Sequence, residues 1–441
     1  MSQGAEDQNA HTNERDALLD KSHGSEPAEL VIFLRDRAGI YFHLEDGLQA
    51  RAEELVELVI REQGLPHEAK DVFSLWFVSS ILELRLKSHH QPFQIVNKWD
   101  QLCALYTDAK YNDIRESEPV LMFQRDVFCP REQELFVTNE QMLCLLYHEA
   151  KFNVIEGRYV LYIEDYHRLA GLQALIHMGK FSAQTHVRTE YQTNLMQFYP
   201  EHMYTKDRFL FFGKTKSPAK DCEELFMEAH RKVSEEYADL DVDKSLSILY
   251  RKYLEICWSY PFYGSAFFSG RIETPSSRLK KLILPPPDTE VWVAINTDCV
   301  TVINRTRCEL LLSIPFSQLS WEYKDPDFDG DNDPPPCLFL QFLVDELRSG
   351  SEREDAENGA AATAMGTAEP VTKLLKVYSR EAKLMDALIE TCVRRKRQQL
   401  QGSPGVDFVD GGLFDNSSRK ILNKLDQLCL STYSKDGENL D

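Results

Sequence analysis

Three short patterns carry residue types that could do chemistry. DPDFDGDND, Asp325 to Asp333, sets Asp325, Asp327, Asp329, Asp331 and Asp333 at the offsets from which an EF-hand loop offers oxygen ligands to calcium, with Gly330 at the sharp turn. The twelfth position, which should close the site with a bidentate carboxylate, is Pro336. A solvated acidic turn without a metal is therefore expected. Cys299 and Arg305 have the C-x5-R spacing of a cysteine phosphatase, but that chemistry needs a cradle of backbone amides around a low-pKa thiolate. The intervening VTVIN is β-branched and reads as a strand. His148-Glu149 begins a zinc-protease pattern, with Phe152 where the second histidine should stand, so the pair is expected on the surface of a helix. No G-x-G-x-x-G, Walker loop or G-x-S-x-G occurs. The expectation is a non-enzymatic chain that uses no cofactor.

The frame around these patterns is large and acidic. At 441 residues the chain suggests about three domains. A formal charge of -21 disfavours nucleic acid, whose phosphates demand clustered cations. The amino-terminal residues lack a basic region followed by an apolar run, and runs such as LFLQFLV (Leu338 to Val344) fall well short of a membrane span. Ten cysteines, none closer in sequence than Cys299 and Cys308, give no CxxC and no zinc spacing. A cytoplasmic protein with reduced thiols is expected.

Order is expected to begin at ELVIFLR (Glu29 to Arg35) and GIYFHL (Gly39 to Leu44), a hairpin, followed by an amphipathic helix on Ala52, Leu55, Val56 and Val59. VFSLWFV, ILELRL and PVLMFQR read as further strands. The period then becomes helical. Thr138 and Gln141 suggest a capping box, and four helices follow, one of them near Ile163 to Met178 and ended by Gly179. At CWSYPFYGSAFFSG, Cys257 to Gly270, the period returns to two, and from Phe262 onward the run reads as a strand buried on both faces. Six more strands and a helix over Arg380 to Arg397, with Met385, Leu388, Ile389 and Cys392 on its apolar face, predict a barrel plugged by that helix.

β-grasp, helical bundle and barrel in this order resemble a FERM domain. PVLMFQRDVFCP is similar to the last strand of its first lobe, LLYHEAKFNVIEGRY to the first helix of its second, and YPFYGSAFFSG with VWVAINTDCVTVIN to the opening strands of its third. The resemblance implies an α+β multi-lobed fold: a ubiquitin-like β-grasp lobe (29–126), a four-helix lobe like acyl-CoA-binding protein (127–258), and a PH/PTB-like barrel with a C-terminal helix (259–398). Residues 1–28 are expected to be disordered. Residues 399–441 are expected to form a flexible tail with one short amphipathic helix over Arg419 to Leu430. The chain's shortness, HQPF (His90 to Phe93) and the PFYG-AFF wording are similar to the iRhom tail-associated branch of the family. That similarity implies an adaptor for the cytosolic tail of an iRhom-type membrane protein, recruited to the plasma membrane through that partner, with a further link to a Wnt co-receptor tail. A cytoskeletal or phosphoinositide linker is the alternative.

Lobes of the third kind imply a groove between an exposed strand edge and the closing helix. Its candidate residues are Leu319, Trp321 and Tyr323 on FSQLSWEY with Met385 and Ile389 on the helix. Arg394, Arg395, Lys396 and Arg397 are weak candidates for anionic lipid, since cations at a helix C-terminus also suit its dipole. Glu14 to Leu19 fits an acidic dileucine signal. An acidic insertion at about 348–371 is expected to be a mobile loop; between Glu322 and Glu369, thirteen Asp/Glu face three Lys/Arg.

Overall fold

The computed structural model describes residues 27–45, 47–205, 218–275, 288–325, 335–346, 369–401 and 423–433. Strands β1 (Ala28–Phe33), β2 (Gly39–Leu44), β3 (Phe73–Val78), β4 (Glu83–Arg85) and β5 (Val120–Arg125) form a sheet in the order β2-β1-β5-β3-β4. β1 and β2 make the expected antiparallel hairpin, and β5 runs parallel to β1, as a β-grasp requires. Helix α1 (Ala52–Glu62) buries Ala52, Leu55, Val59 and Ile60 in the same core cluster as the sheet. β3 is apolar on both faces for a reason: Phe73, Leu75 and Phe77 enter this lobe's core while Trp76 joins the core of the barrel. Between β4 and β5 lie α2 (Trp99–Tyr106) and α3 (Tyr111–Glu116), which the apolar pattern did not announce.

The middle of the chain is helical: α4 (Glu140–Ile155), α5 (Ile163–Met178), α6 (Arg188–Phe198), α7 (Pro218–Glu236) and α8 (Leu246–Trp258). Asn139, not Thr138, caps α4, its Oδ1 accepting from the Met142 amide at 3.0 Å. Gly179 ends α5 with φ +76, as expected. α6 was not foreseen, because only Tyr191, Leu195 and Phe198 among its residues turn inward.

The third part is a sheet in the order β10-β11-β12-β6-β7-β8-β9, built from β6 (Ala266–Glu273), β7 (Asp288–Ile295), β8 (Cys299–Asn304), β9 (Glu309–Pro315), β10 (Leu319–Lys324), β11 (Cys337–Glu346) and β12 (Glu369–Tyr378). Helix α9 (Ala382–Gln401) closes it with Ala382, Met385, Ile389 and Cys392 all buried. Full burial of a side chain such as Met385 or Ile389 is worth roughly 1.5–3 kcal/mol. Two expectations are corrected here. The aromatic run is not strand from Phe262, since residues 261–264 form a turn with Gly264 at φ +66 and β6 starts at Ala266. The helix expected over Arg419 to Leu430 is also absent from its described part: Leu425–Gln427 is a single 3-10 turn, and Ser431–Tyr433 is a strand, β13, paired with β12.

Candidate partner-binding surfaces

The catalytic patterns dissolve on contact with the fold. Cys299 is buried at the start of β8, its thiol donating to the Pro261 carbonyl at 3.3 Å, and burial raises its pKa, the opposite of what a nucleophile needs. Arg305 lies over the Trp292 ring at 4.2 Å. His148 and Glu149 are not a free surface pair. Burial pushes His148 down to about 4 and Glu149 up to about 7, and Glu149 accepts from the Arg125 amide at 2.6 Å. Phe152 sits under the Arg35 guanidinium at 4.2 Å. The acidic turn beyond Asp325, the dileucine pattern and most of the acidic insertion fall outside the described residues. Among the described residues no group of three or more His, Cys, Asp or Glu is arranged to hold a metal.

What the aromatic run does instead is join the lobes. Arg125, at the end of β5, is buried and ion-paired with Glu134; it also donates to the carbonyls of Asp126 and Gly264 at 3.0 Å and of Cys129 at 2.6 Å. Glu134 accepts in turn from the Tyr263 hydroxyl at 2.7 Å and the Trp258 indole at 3.1 Å. The Tyr159 hydroxyl accepts from the Gly264 amide at 3.0 Å, and Tyr260 bonds Asp165 on α5. Arg158, after α4, forks onto Glu83 on β4 at 2.5 and 3.2 Å. Most of these bonds cross between lobes, Arg125 to Gly264, Tyr263 to Glu134, Tyr260 to Asp165 and Arg158 to Glu83 among them, so the lobes hold one another in register.

That register opens a cleft of about 680 Å³ between β3–β4 and the face of α9. Its floor is apolar, from Trp76, Val127, Phe268, Leu384 and Leu388, and its rim is cationic, from Arg85, Lys87, Arg394 and Arg395. Phe128 has Arg85 over its ring at 4.8 Å and Arg395 at 4.0 Å. Two of those cations are paired, Arg85 with Asp126 and Arg394 with Glu390, and Glu83 lines the cleft as well. The α9 stripe is wider than one helix face: Met385 and Ile389 belong to the barrel core, while Leu384 and Leu388, half-buried at its edge, also line the cleft.

The groove inferred from sequence fares differently. β10 is an edge strand beside α9, as expected, but Leu319, Met385 and Ile389 are buried core residues and cannot line an open groove. The physical reason is the plug: a helix that closes a barrel spends its apolar face on the barrel. Trp321 and Tyr323 stay half-buried, and the Trp321 indole donates to Asp386 on α9 at 3.0 Å, bridging the strand to the helix. The basic run is largely engaged too. Arg394 pairs with Glu390 at 3.8 Å, Lys396 with Asp298 at 3.2 Å, Arg395 covers Phe128, and Arg397 is exposed.

A second opening, of about 520 Å³, lies between the residue 107–109 loop and the β6–α9 corner. Asp108 there receives Arg380 at 3.1 Å and Arg271 at 3.5 Å. Glu381, buried at the start of α9, accepts from the Ser269 amide at 2.7 Å, and burial, aided by Glu83, pushes its pKa up to about 8. The folded state thus keeps a proton that the unfolded chain has lost above about pH 4.5, and this contribution to stability falls as pH rises from there through about 8. Glu381→Gln should remove that slope, which is at most about 1.4 kcal/mol per pH unit. Melting curves of both proteins across this window check it; parallel curves would show that Glu381 is ionised throughout.

Two family descriptions match the chain: the FERM central domain over residues 132–268, and the C-lobe of the KRIT1/FRMD8 FERM domain over residues 289–388. FERM domain-containing protein 8 of Xenopus tropicalis is 32% identical over 95% of this chain and 88% of its own length, and that of Homo sapiens 33% identical over 90% and 80%. The chain belongs to the FERM domain-containing protein 8 family. A solved structure of the human Myosin 7b C-terminal MyTH4-FERM domain in complex with harmonin-a PDZ3 shares the fold at TM-score 0.51 and 15% identity, over 84% of this chain and 60% of that one. In this FERM chain no described helix is long and apolar enough to cross a membrane. Sequence reasoning did not find the interlobe cleft. The one available signal was Leu388, an apolar position more than α9 needs for the barrel.

Proposed function

We propose that this FERM protein is a non-enzymatic adaptor that holds the cytosolic tail of a membrane protein in the cleft between its first and third lobes. The observation that carries the reading is the cleft's combination of an apolar floor, with Trp76, Phe268, Leu384 and Leu388, and a cationic rim on an acidic protein. Such a site suits an extended peptide with apolar anchors flanked by acidic residues. The resemblance to the iRhom-associated branch supports an iRhom tail as that peptide. In this reading the adaptor stabilises the iRhom–sheddase complex at the cytosolic face of the plasma membrane and promotes ectodomain shedding. A Wnt co-receptor tail is a second ligand of the same kind.

The test is affinity for an iRhom cytosolic-tail peptide. Leu388→Asp, which changes a residue on the helix's cleft side, should weaken binding by about 1–3 kcal/mol, the loss typical of a buried interface anchor, with little change in melting temperature. Trp321→Ala should bind as the unaltered protein does. If Trp321→Ala loses the tail and Leu388→Asp keeps it, the ligand lies on the β10 edge. If neither variant matters and the protein sediments with phosphoinositide vesicles through Arg394, Arg395, Lys396 and Arg397, the lipid-linker reading replaces this one.

A further inference from the structure

Among the described residues, β12, ten residues long, meets β6 only at Tyr378 opposite Arg271, which leaves a seam beside the rest of β12. Residues 423–433 reach this seam from β9. The Lys424 amide donates to the Leu311 carbonyl at 2.8 Å, Asn423 Oδ1 accepts from the Ser313 amide at 2.9 Å, and Lys424 Nζ pairs with Glu309 at 3.1 Å. Those three contacts lie on β9, an edge of the sheet. At its other end the segment becomes β13 and adds to β12, with Ser431, Thr432 and Tyr433 opposite Leu374, Lys373 and Thr372. In between, Leu425, Leu428 and Leu430 pack on the barrel core, Leu428 being fully buried.

A bound peptide can look like this: a short strand, Ser431–Tyr433, pairs its main chain with an open edge, and the leucines just before it pack on the apolar core. Here the peptide belongs to the same chain. We propose that the seam is a peptide-binding site of the barrel, held in cis by residues 423–433. Its external ligand is a peptide with leucines at the spacing of Leu425, Leu428 and Leu430, a cation before the first of them to reach Glu309, and a short strand after the last to pair with β12. The seam shares no lining residue with the interlobe cleft, so the two sites are independent. The segment is covalently joined to α9 and stays near the seam when detached. The resident therefore competes strongly with any external peptide, and ligand binding must displace it.

The full chain tests this with a fluorescent peptide of residues 423–433. The unaltered protein should bind it weakly, its own segment being in place. Leu428→Asp, which ejects the resident segment and leaves the seam intact, should bind the labelled peptide about tenfold more tightly or better. Should Leu428→Asp melt early, Asn423→Ala combined with Lys424→Glu loosens the same segment from β9 without touching the core and should show the same gain. Equal affinity for the unaltered and altered chains, or no binding by a folded variant, would overturn the proposal.

Discussion

Glu134→Ala should cost about 3–5 kcal/mol of stability, the penalty for leaving a buried charge without its partner. Glu134 is wholly buried and Arg125 nearly so. Burial alone would pull the Arg125 guanidinium down, but Glu134 opposes this and the net shift is upward, so the arginine stays charged despite its burial. Removing the carboxylate leaves that charge with neutral partners, the carbonyls of Asp126, Gly264 and Cys129 and the Tyr263 ring, and it strips the Tyr263 hydroxyl and the Trp258 indole of their acceptor. Glu134→Gln keeps an oxygen for the indole while losing the charge, and should fall between. Denaturant unfolding measures both. A loss below about 1 kcal/mol for Glu134→Ala would mean that water enters the junction and the lobes are not held by this pair.

The cost would reach beyond one contact. β5, the turn before β6 and the foot of α8 all meet at Arg125 and Glu134, and the interlobe cleft exists only while β3–β4 and α9 keep their spacing. Tail binding and stability should therefore fall together in Glu134→Ala, whereas Leu388→Asp should separate them.

Much of the fold was legible because it follows from period. The β1–β2 hairpin, the stripes of α1 and α5, the Gly179 stop and the alternation of β6 onward are each fixed within a dozen residues, and the order of lobes follows from them. What was not legible depends on partners far away in sequence. α3 and α6 present too few apolar residues to show a stripe, and α2, apolar at all but Asp100 and Gln101, is too short to show a period. The stretch from Arg419 reads as an amphipathic helix because Leu425 and Leu428 fall three apart, but its described part is tied to β9 through Lys424 and buries Leu428 in the barrel core, and only the residues after it, Ser431–Tyr433, pair with β12. The candidate groove failed on the same ground. Met385 and Ile389 are apolar whether they face a ligand or a core, and only the barrel decides which.

Gly264 is where the local and distant constraints coincide, and Gly264→Ala separates them. Its φ of +66 is a conformation that costs an L residue roughly 1–2 kcal/mol. A Cβ built there would also lie 2.4 Å from the Arg125 guanidinium carbon, closer than two such atoms can come. A guanidinium usually swings aside, but this one is tied to Glu134 and to three carbonyls inside a buried junction, so moving it breaks the bonds that hold the lobes. Gly64 supplies the control: its φ is +60, yet a Cβ there meets nothing within 4 Å. Gly64→Ala should lose only the backbone cost, and Gly264→Ala should lose that plus about 1–3 kcal/mol for the displaced buried hydrogen bonds. Equal losses in the two variants would mean that Arg125 yields freely; a larger loss at Gly264 that disappears in an Arg125→Ala background would tie the difference to the guanidinium.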